Sequence, residues 1–207
     1  MIYDITRTQT PRMAVFPGDT PVSISPVMQM RNGDSCNVTS ITMSAHAGTH
    51  VDAPRHYSDD GDGIEAVPLD VLIGQARVIT LNVAETISLD ALRHALPDSL
   101  PARLLIHTHA SDTPDTVWDT HFVYFAPEAA DWLGANGVRL IGVDTPSVDP
   151  AISHELPSHK AFLRHGTLIV ENLCLRDVQD GDYELIALPL KIKDNDAAPA
   201  RVVLRRV

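Results

Sequence analysis

The 207-residue chain has little cysteine and no long apolar run, and each shortage excludes a class of protein. Its two cysteines, Cys36 and Cys174, cannot build a disulfide framework, which favours a reducing compartment. No apolar run approaches the ~20 residues needed to cross a bilayer. The amino-terminal residues lack the basic region followed by an apolar stretch that is typical of a signal peptide. We therefore expect a cytoplasmic protein with no membrane partner.

Positive charge is also scarce. The chain has 16 Lys and Arg residues against 27 Asp and Glu residues, and its formal net charge is −11. Proteins that bind nucleic acids present clustered Lys and Arg to the phosphate backbone. The composition therefore predicts no nucleic-acid partner. Most of the acidic excess is expected on the solvated surface, where it keeps the protein soluble.

The organisation of the chain predicts one domain over residues 1–207, because no internal repeat, low-complexity segment or linker interrupts it. Residues 1–45 are strand-rich, with a turn at Phe16–Asp19 and an alternating stretch at Val38–Met43. Further strands are predicted at Ala76–Leu81, Arg103–His107, Val138–Val143, Thr167–Leu175, Glu184–Ile192 and Arg201–Val207, and helices from the Ser88 cap to Leu96 and at Pro127–Asn136. This interleaving is typical of a single mixed α/β domain.

The most informative segment is the histidine loop, residues 46–56, which reads His-Ala-Gly-Thr-His-Val-Asp-Ala-Pro-Arg-His. Within these eleven residues lie three imidazoles and one carboxylate. Neutral imidazole and carboxylate are ligands that suit zinc and related divalent metals. Four such groups are costly to bury without a partner. The loop therefore predicts a metal site.

The spacing of the loop predicts its backbone. In an extended strand His46 and His50 would lie roughly 13 Å apart, at about 3.3 Å per residue. Side chains that far apart cannot meet on one ion whose bonds are about 2.0–2.2 Å long. The chain must turn back between them, and Gly48 permits the unusual backbone angle. His50 and Asp52, two residues apart, can then point to one side of a short extended segment.

The residues alone leave the rest of the site open. A structural metal is closed by four protein ligands, whereas a catalytic metal keeps a position for water or substrate. His46, His50 and Asp52 supply three ligands. Glu171 ends an apolar run and would be costly to bury unpaired, so it is a further candidate. The remaining histidines are not ranked by physical argument: His94, His107, His109, His121, His154, His159 and His165.

The pattern His-x-Gly-Thr-His-x-Asp-x-Pro-x-His resembles the signature of the metal-dependent cyclase-like amidohydrolase family. Segments Phe16–Pro21, Leu140–Ser147 and Asp182–Leu190 resemble those of bacterial-type kynurenine formamidases (arylformamidases), and the similarity runs in order along nearly the full chain. The resemblance implies an α/β fold with a twisted, partly barrel-like sheet of the swivelling β/β/α type. It also implies a homodimer.

The same resemblance implies a site with two zinc ions, although manganese and cobalt accept the same ligands. It assigns His46, His50 and Asp52 to the first ion. Asp52 would bridge to the second ion, which His159 holds, and Glu171 would contact both. His154 and His165 do not match the family pattern and are left as surface or helix residues.

Two more residues take roles from the resemblance. His56 matches the proton-transfer histidine of the family. Phe16 stands where family members commonly carry a Trp that lines the substrate pocket. Phe keeps an aromatic face for stacking on an aryl group but lacks the indole N–H donor. The alternative for Phe16 is that it only anchors the turn in the core.

The implied function is hydrolysis of N-formyl-L-kynurenine, a small aryl formamide, to L-kynurenine and formate in tryptophan degradation. A bound metal would lower the pKa of a water molecule to about 7 and polarise the formyl carbonyl. One alternative is a cyclase-like hydrolase of another aryl amide or a lactam such as isatin. Another is a binding or structural protein stabilised by a single closed metal site.

Overall fold

The structure, a computed structural model, describes residues 1–97 and 99–206. The strands are β1 (Ile2–Asp4), β2 (Ser23–Met28), β3 (Val38–Thr42), β4 (His50–Asp52), β5 (Ile73–Thr80), β6 (Thr86–Ile87), β7 (Arg103–His107), β8 (Tyr124–Phe125), β9 (Leu140–Val143), β10 (Leu168–Glu171), β11 (Gly181–Pro189) and β12 (Ala197–Arg206). The α-helices are α1 (Leu69–Leu72), α2 (Leu89–Ala95), α3 (Pro127–Ala135) and α4 (Pro157–Arg164). Short 3-10 helices lie at Met30–Asn32, Pro54–His56, Ile64–Ala66 and His109–Asp112.

Seven strands close into a barrel in the order β12-β11-β5-β7-β9-β10-β4, and β4 pairs back onto β12. Strands β5, β7, β9 and β10 run parallel, whereas the remaining pairs of the ring are antiparallel. Strand β1 adds to β12 outside the ring. Closure removes the exposed sheet edges that would otherwise invite pairing with other chains. The predicted single mixed α/β domain with a barrel-like sheet is confirmed.

The parallel strands are buried on both faces. In β7, Leu105 packs in the cluster that fills the barrel, while Leu104 and Ile106 pack in a second cluster outside it. Successive side chains of a strand point to opposite faces, so each strand contributes to both clusters. Helices α2, α3 and α4 cover the outer cluster. The parallel part of the sheet is therefore packed on both faces.

The predicted helices are present in the structure. Helix α2 begins after Ser88, whose Oγ accepts a hydrogen bond from the backbone N–H of Ala91 at 3.2 Å. Helix α3 begins at Pro127 and ends one residue before Asn136, at Ala135. Helix α4 was not predicted, although Pro157 at its first position is a common start signal.

The predicted strand Thr167–Leu175 is too long. Strand β10 ends at Glu171, because Asn172 adopts a left-handed backbone with φ of 57° and turns the chain out of the sheet. Non-glycine residues rarely adopt this conformation, although Asn does so more readily than most. Asn172 is a weak sign of this turn, because apolar residues resume directly after it.

The last two predicted strands, Glu184–Ile192 and Arg201–Val207, are displaced in the structure. Strand β11 starts three residues earlier, because residues 181–183 pair with β5. It also ends three residues earlier, because the Ile192 N–H bonds to the Leu190 carbonyl at 3.0 Å in a tight turn. Strand β12 starts four residues earlier, because residues 197–199 pair with β4. Val207 lies outside the described residues.

Strands β2 and β3 form a separate two-stranded hairpin, called the hairpin arm (residues 23–42). The arm confirms the predicted strand at Val38–Met43, which ends one residue earlier, at Thr42. Its side chains are largely exposed on both faces, and the large apolar ones among them are Ile24, Val27, Met30, Val38 and Ile41. Across the described ranges, no helix has the length and apolarity to cross a bilayer.

Candidate metal centre

The histidine loop turns back at Gly48, as the spacing predicts. Gly48 has φ of 64°, and a Cβ atom there would lie 2.5 Å from the Gln9 side-chain nitrogen and 3.0 Å from the Met13 sulfur. Both the backbone angle and the close side chains favour glycine at this position. The turn brings His46 Nδ1 to 3.1 Å from His50 Nε2.

Neighbouring strands bring the acidic residues to the same place. In the pairing of β4 with β10, Glu171 lies directly opposite His50, so their side chains share one face of the sheet. Asp52 ends β4 on that same face, and His159 reaches the site from α4. His50, Asp52, His159 and Glu171 are each at most 4% exposed.

The two carboxylates lie between two groups of histidines. Asp52 Oδ1 is 3.3 Å from His46 Nδ1 and 3.2 Å from His50 Nε2, while Asp52 Oδ2 is 3.6 Å from His159 Nε2. Glu171 repeats the arrangement, with Oε2 at 3.4 Å from His50 Nε2 and Oε1 at 3.5 Å from His159 Nε2. Each carboxylate therefore presents one oxygen to the His46–His50 pair and the other to His159.

In His46, His50 and His159, the outer ring nitrogen, which faces away from the two carboxylates, lies beside a hydrogen-bond acceptor. His46 Nε2 lies 3.0 Å from Asp196 Oδ2, His50 Nδ1 lies 2.8 Å from the Gly48 carbonyl, and His159 Nδ1 lies 2.7 Å from Asp149 Oδ2. An acceptor on the outer nitrogen fixes the proton there and leaves a lone pair on the inner one. Metal-ligating histidines are oriented in this way.

The residues present fit a divalent metal. Both oxygens of Asp52 are buried, yet neither makes a hydrogen bond with any described residue. Ligand atoms about 2.0–2.1 Å from one tetrahedral ion lie about 3.3 Å from each other, close to the separations found here. A buried carboxylate left without hydrogen bonds is costly, and a bound cation would remove that cost.

The electrostatics of the cluster favour bound cations or protons. Burial alone lowers the pKa of His50, but the nearby Asp52 and Glu171 carboxylates raise it to about 10. Burial also opposes the charged form of His159, yet Asp149, Asp52 and Glu171 hold its pKa well above the usual value. The same histidines keep the pKa of Asp52 well below its usual range, against the effect of burial. Protons and metal ions therefore compete for the same nitrogens.

His56 lies at the rim of this cluster. Its Nδ1 is 3.7 Å from Asp196 Oδ2, and its ring centroid is 4.1 Å from that of His46 and 5.9 Å from that of His159. Burial lowers the pKa of His56, so its neutral form is favoured. His46, Asp52 and His56 can also offer three ligand atoms within 4.8 Å of one another. The position is compatible with proton transfer and with metal binding.

The sequence model of the Cyclase family matches residues 3–150 of the chain. The chain belongs to the Cyclase family. A solved potential metal-dependent hydrolase with cyclase activity is 30% identical, with a TM-score of 0.85 over 99% of this chain and 96% of that one. A predicted metal-dependent hydrolase from Bacillus stearothermophilus has the same identity and TM-score, over 99% and 97% of the two chains. Isatin hydrolase A from Labrenzia aggregata, at 24% identity and a TM-score of 0.83 over 99% and 93%, shares the fold.

In this Cyclase-family chain a cavity of about 430 Å³ leads to the cluster. One wall is aromatic, with the Phe16 ring centroid 5.2 Å from that of Trp118 and the Trp118 ring 6.2 Å from that of Phe122. Phe16, which the sequence analysis assigns to substrate binding, lines this wall and is 43% exposed. The predicted turn that carries it is present, with the Asp19 N–H bonded to the Phe16 carbonyl at 2.9 Å.

Sequence reasoning missed the residues that support the cluster. Asp149 binds the backbone N–H of His159 as well as its ring, and Asp196 holds His46 across 150 positions of sequence. Nothing in the sequence distinguishes these aspartates from surface ones. By contrast, His165 lies away from the cluster and bonds to Asp131 at 3.0 Å.

Proposed function

We propose that this Cyclase-family chain is a metal-dependent amidohydrolase that converts N-formyl-L-kynurenine to L-kynurenine and formate in tryptophan degradation. One observation carries the proposal: a buried carboxylate that makes no hydrogen bond with the described residues, Asp52, lies among inward-facing histidine nitrogens at an aromatic-walled cavity. The donor set suits a hydrolytic metal, and the wall suits an aryl amide.

The proposed cofactor is a pair of zinc ions, with manganese or cobalt as substitutes. His46, His50 and Asp52 would hold the first ion, and His159 the second, with Asp52 and Glu171 shared. The two-sided arrangement of both carboxylates supports two ions over one. Bound metal would supply an activated water molecule and a Lewis acid for the carbonyl.

The side chains of the protein would carry out the proton transfer that the reaction requires. In the reaction, water adds to the formyl carbon, the C–N bond breaks, and the departing aryl amine gains a proton. His56 is the proposed proton carrier, because its neutral form is favoured and it can accept a proton before donating it. Its Nδ1 faces Asp196, so Nε2 would exchange the proton.

The aromatic wall is the proposed site for the aryl ring of the substrate. Phe16, Trp118 and Phe122 already pack edge to face, an arrangement that a planar aryl group can extend. Phe16 would contact the ring without donating a hydrogen bond. This difference from the family Trp supports a second candidate substrate, an aryl lactam such as isatin.

A parallel assay separates the two substrates. Zinc-loaded protein is mixed with N-formyl-L-kynurenine or with isatin, and product is followed by absorbance, each with a chelator-treated control. We expect rapid, chelator-sensitive formation of kynurenine. Turnover of isatin alone would show that the substrate is a lactam. Turnover of neither compound would contradict both proposed substrates, without bearing on the fold or the metal centre.

We also propose a cytoplasmic homodimer. Both cysteines are free, Cys36 on the surface and Cys174 partly buried, which suits a reducing compartment. The exposed apolar residues of the hairpin arm support pairing with a second copy.

A further inference from the structure

Asn172 combines an unusual backbone with a position beside the candidate metal centre. It follows Glu171 and has φ of 57°. Its backbone N–H donates to the Thr145 carbonyl at 2.9 Å, and its carbonyl accepts from the Thr49 hydroxyl at 2.6 Å. These two hydrogen bonds hold the left-handed conformation in place. Such conformations in non-glycine residues concentrate at functional sites.

The carboxamide of Asn172 makes no hydrogen bond with any described residue. Both hydrogen bonds between Asn172 and the described residues use its backbone. The residue is partly buried and lines the cavity together with His50, His159 and Glu171. A carboxamide carries one acceptor oxygen and two N–H donors, so Asn172 offers all three to whatever occupies the cavity. The cavity is where a bound molecule would pair them.

We propose that Asn172 binds the scissile secondary amide of the substrate. Its Nδ2–H donates to the amide carbonyl oxygen, and its Oδ1 accepts the amide N–H. A carboxamide and a secondary amide in its cis form, which presents C=O and N–H on one edge, are complementary in this way, whereas an ester offers Oδ1 no proton. Asn172 thus selects amides over esters, a role that rests on the amidohydrolase function proposed above.

A purely conformational role for Asn172 makes the opposite prediction. Asn is tolerated at positive φ, but Gly adopts that conformation at lower cost. If the backbone alone mattered, Asn172→Gly would keep full activity. If the carboxamide binds substrate, the same change removes both hydrogen bonds and activity falls.

The test compares formanilide with its ester counterpart, phenyl formate, corrected for spontaneous hydrolysis. Asn172→Gly should keep the wild-type metal content. It should lower kcat/KM for formanilide about 100-fold, which is the usual cost of removing one hydrogen-bond donor to a developing oxyanion. The ester should lose less, so the amide-to-ester ratio of kcat/KM should fall about tenfold or more. Wild-type activity on formanilide, or an unchanged ratio, would overturn the proposal.

Asp194→Gly is the matched control, because Asp194 also has positive φ, at 54°, but lies outside the cavity lining. It should leave both rates unchanged. Equal losses in the two variants would show that backbone freedom, and not the carboxamide, is responsible.

A second readout does not depend on turnover. In spectra of ¹⁵N-labelled, metal-free protein, the side-chain NH₂ resonances of Asn172 are assigned as those present in the wild type and absent from Asn172→Gly. Formanilide should shift them. No shift at concentrations that move the Trp118 indole resonance would contradict the assigned contact.

The outcomes separate this proposal from the function above. If wild-type protein hydrolyses formanilide but not N-formyl-L-kynurenine, the named substrate is wrong and the amide-to-ester ratio still decides the role of Asn172. If wild-type protein hydrolyses neither, the proposed function fails and the NMR titration decides.

Discussion

At the scale of single residues, the candidate site depends on groups that orient the histidines as much as on the histidines themselves. Asp149 accepts three hydrogen bonds, from the Ser158 N–H, the His159 N–H and the His159 ring, at 2.7–3.0 Å. This fixes His159 Nε2 toward Asp52 and Glu171. Removing such an oriented acceptor typically weakens metal binding even though no ligand is lost.

We therefore expect Asp149→Ala to weaken binding of the second zinc equivalent about 10- to 100-fold and to spare the first. Competition with a chromogenic chelator measures both affinities. Asp131→Ala is the control, because Asp131 bonds to His165 at the surface in similar fashion. If Asp149→Ala bound both zinc equivalents with wild-type affinity, the role assigned to His159 would be contradicted.

The role of His56 is decided by separating metal content from turnover. His56→Ala should keep its metal and lose about 10²- to 10⁴-fold in kcat, the usual contribution of a general acid or base. Metal content by elemental analysis and kcat on N-formyl-L-kynurenine give the two values. Loss of metal from this variant would make His56 a ligand alongside His46 and Asp52.

At the scale of elements, the predictable parts are those with a local cause. The Gly48 turn, the Ser88 cap of α2 and the extended His50–Asp52 segment each follow from a few neighbouring residues. The end of β10 depends on Thr145 and Thr49, which bond to Asn172 from distant segments. A property that arises from such long-range bonds is not visible in the local sequence.

The turn at Gly48 should be sensitive to a single methyl group. Gly48→Ala should lower stability by more than the roughly 1–2 kcal/mol that a left-handed alanine costs, because its Cβ also meets Gln9 and Met13. It should lose zinc affinity as well. Gly33→Ala is the control, since Gly33 has φ of 96° with nothing within 4 Å of the added Cβ.

Thermal unfolding and zinc titration of both glycine variants check this expectation. Gly33→Ala should lose stability but bind zinc as the wild type does. If Gly48→Ala also bound zinc normally, the turn would not be what brings His46 and His50 together.

At the scale of the whole molecule, the barrel brings distant parts of the chain to one point. His46 and Asp196 meet because β12 pairs with β4 and closes the ring. His46, His50 and Asp52 could be proposed as ligands from their spacing alone. His159 and Glu171 required the resemblance to a known family. Asp196 was not found because closure of the sheet sets its partner, and Asp149 was not found because the chain before α4 folds it back onto the start of that helix.

The exposed apolar residues of the hairpin arm are the basis for expecting a homodimer. Two-stranded hairpins are at best marginally stable in water, yet this one exposes Val27 and Ile41 to 64% and 61%. We expect wild-type protein to show about twice the 22.5 kDa chain mass by light scattering. Val27→Asp with Ile41→Asp should give the single-chain mass, and a monomeric wild type would refute the homodimer.

Hydrolysis should depend on metal held around Asp52, and the rate of N-formyl-L-kynurenine hydrolysis against added zinc measures that dependence. Metal-depleted wild-type protein should start without activity and reach a plateau at two zinc equivalents per chain, whereas Asp52→Ala should stay inactive throughout. Full activity of the metal-depleted protein, or an Asp52→Ala variant as active as the wild type, would contradict the account.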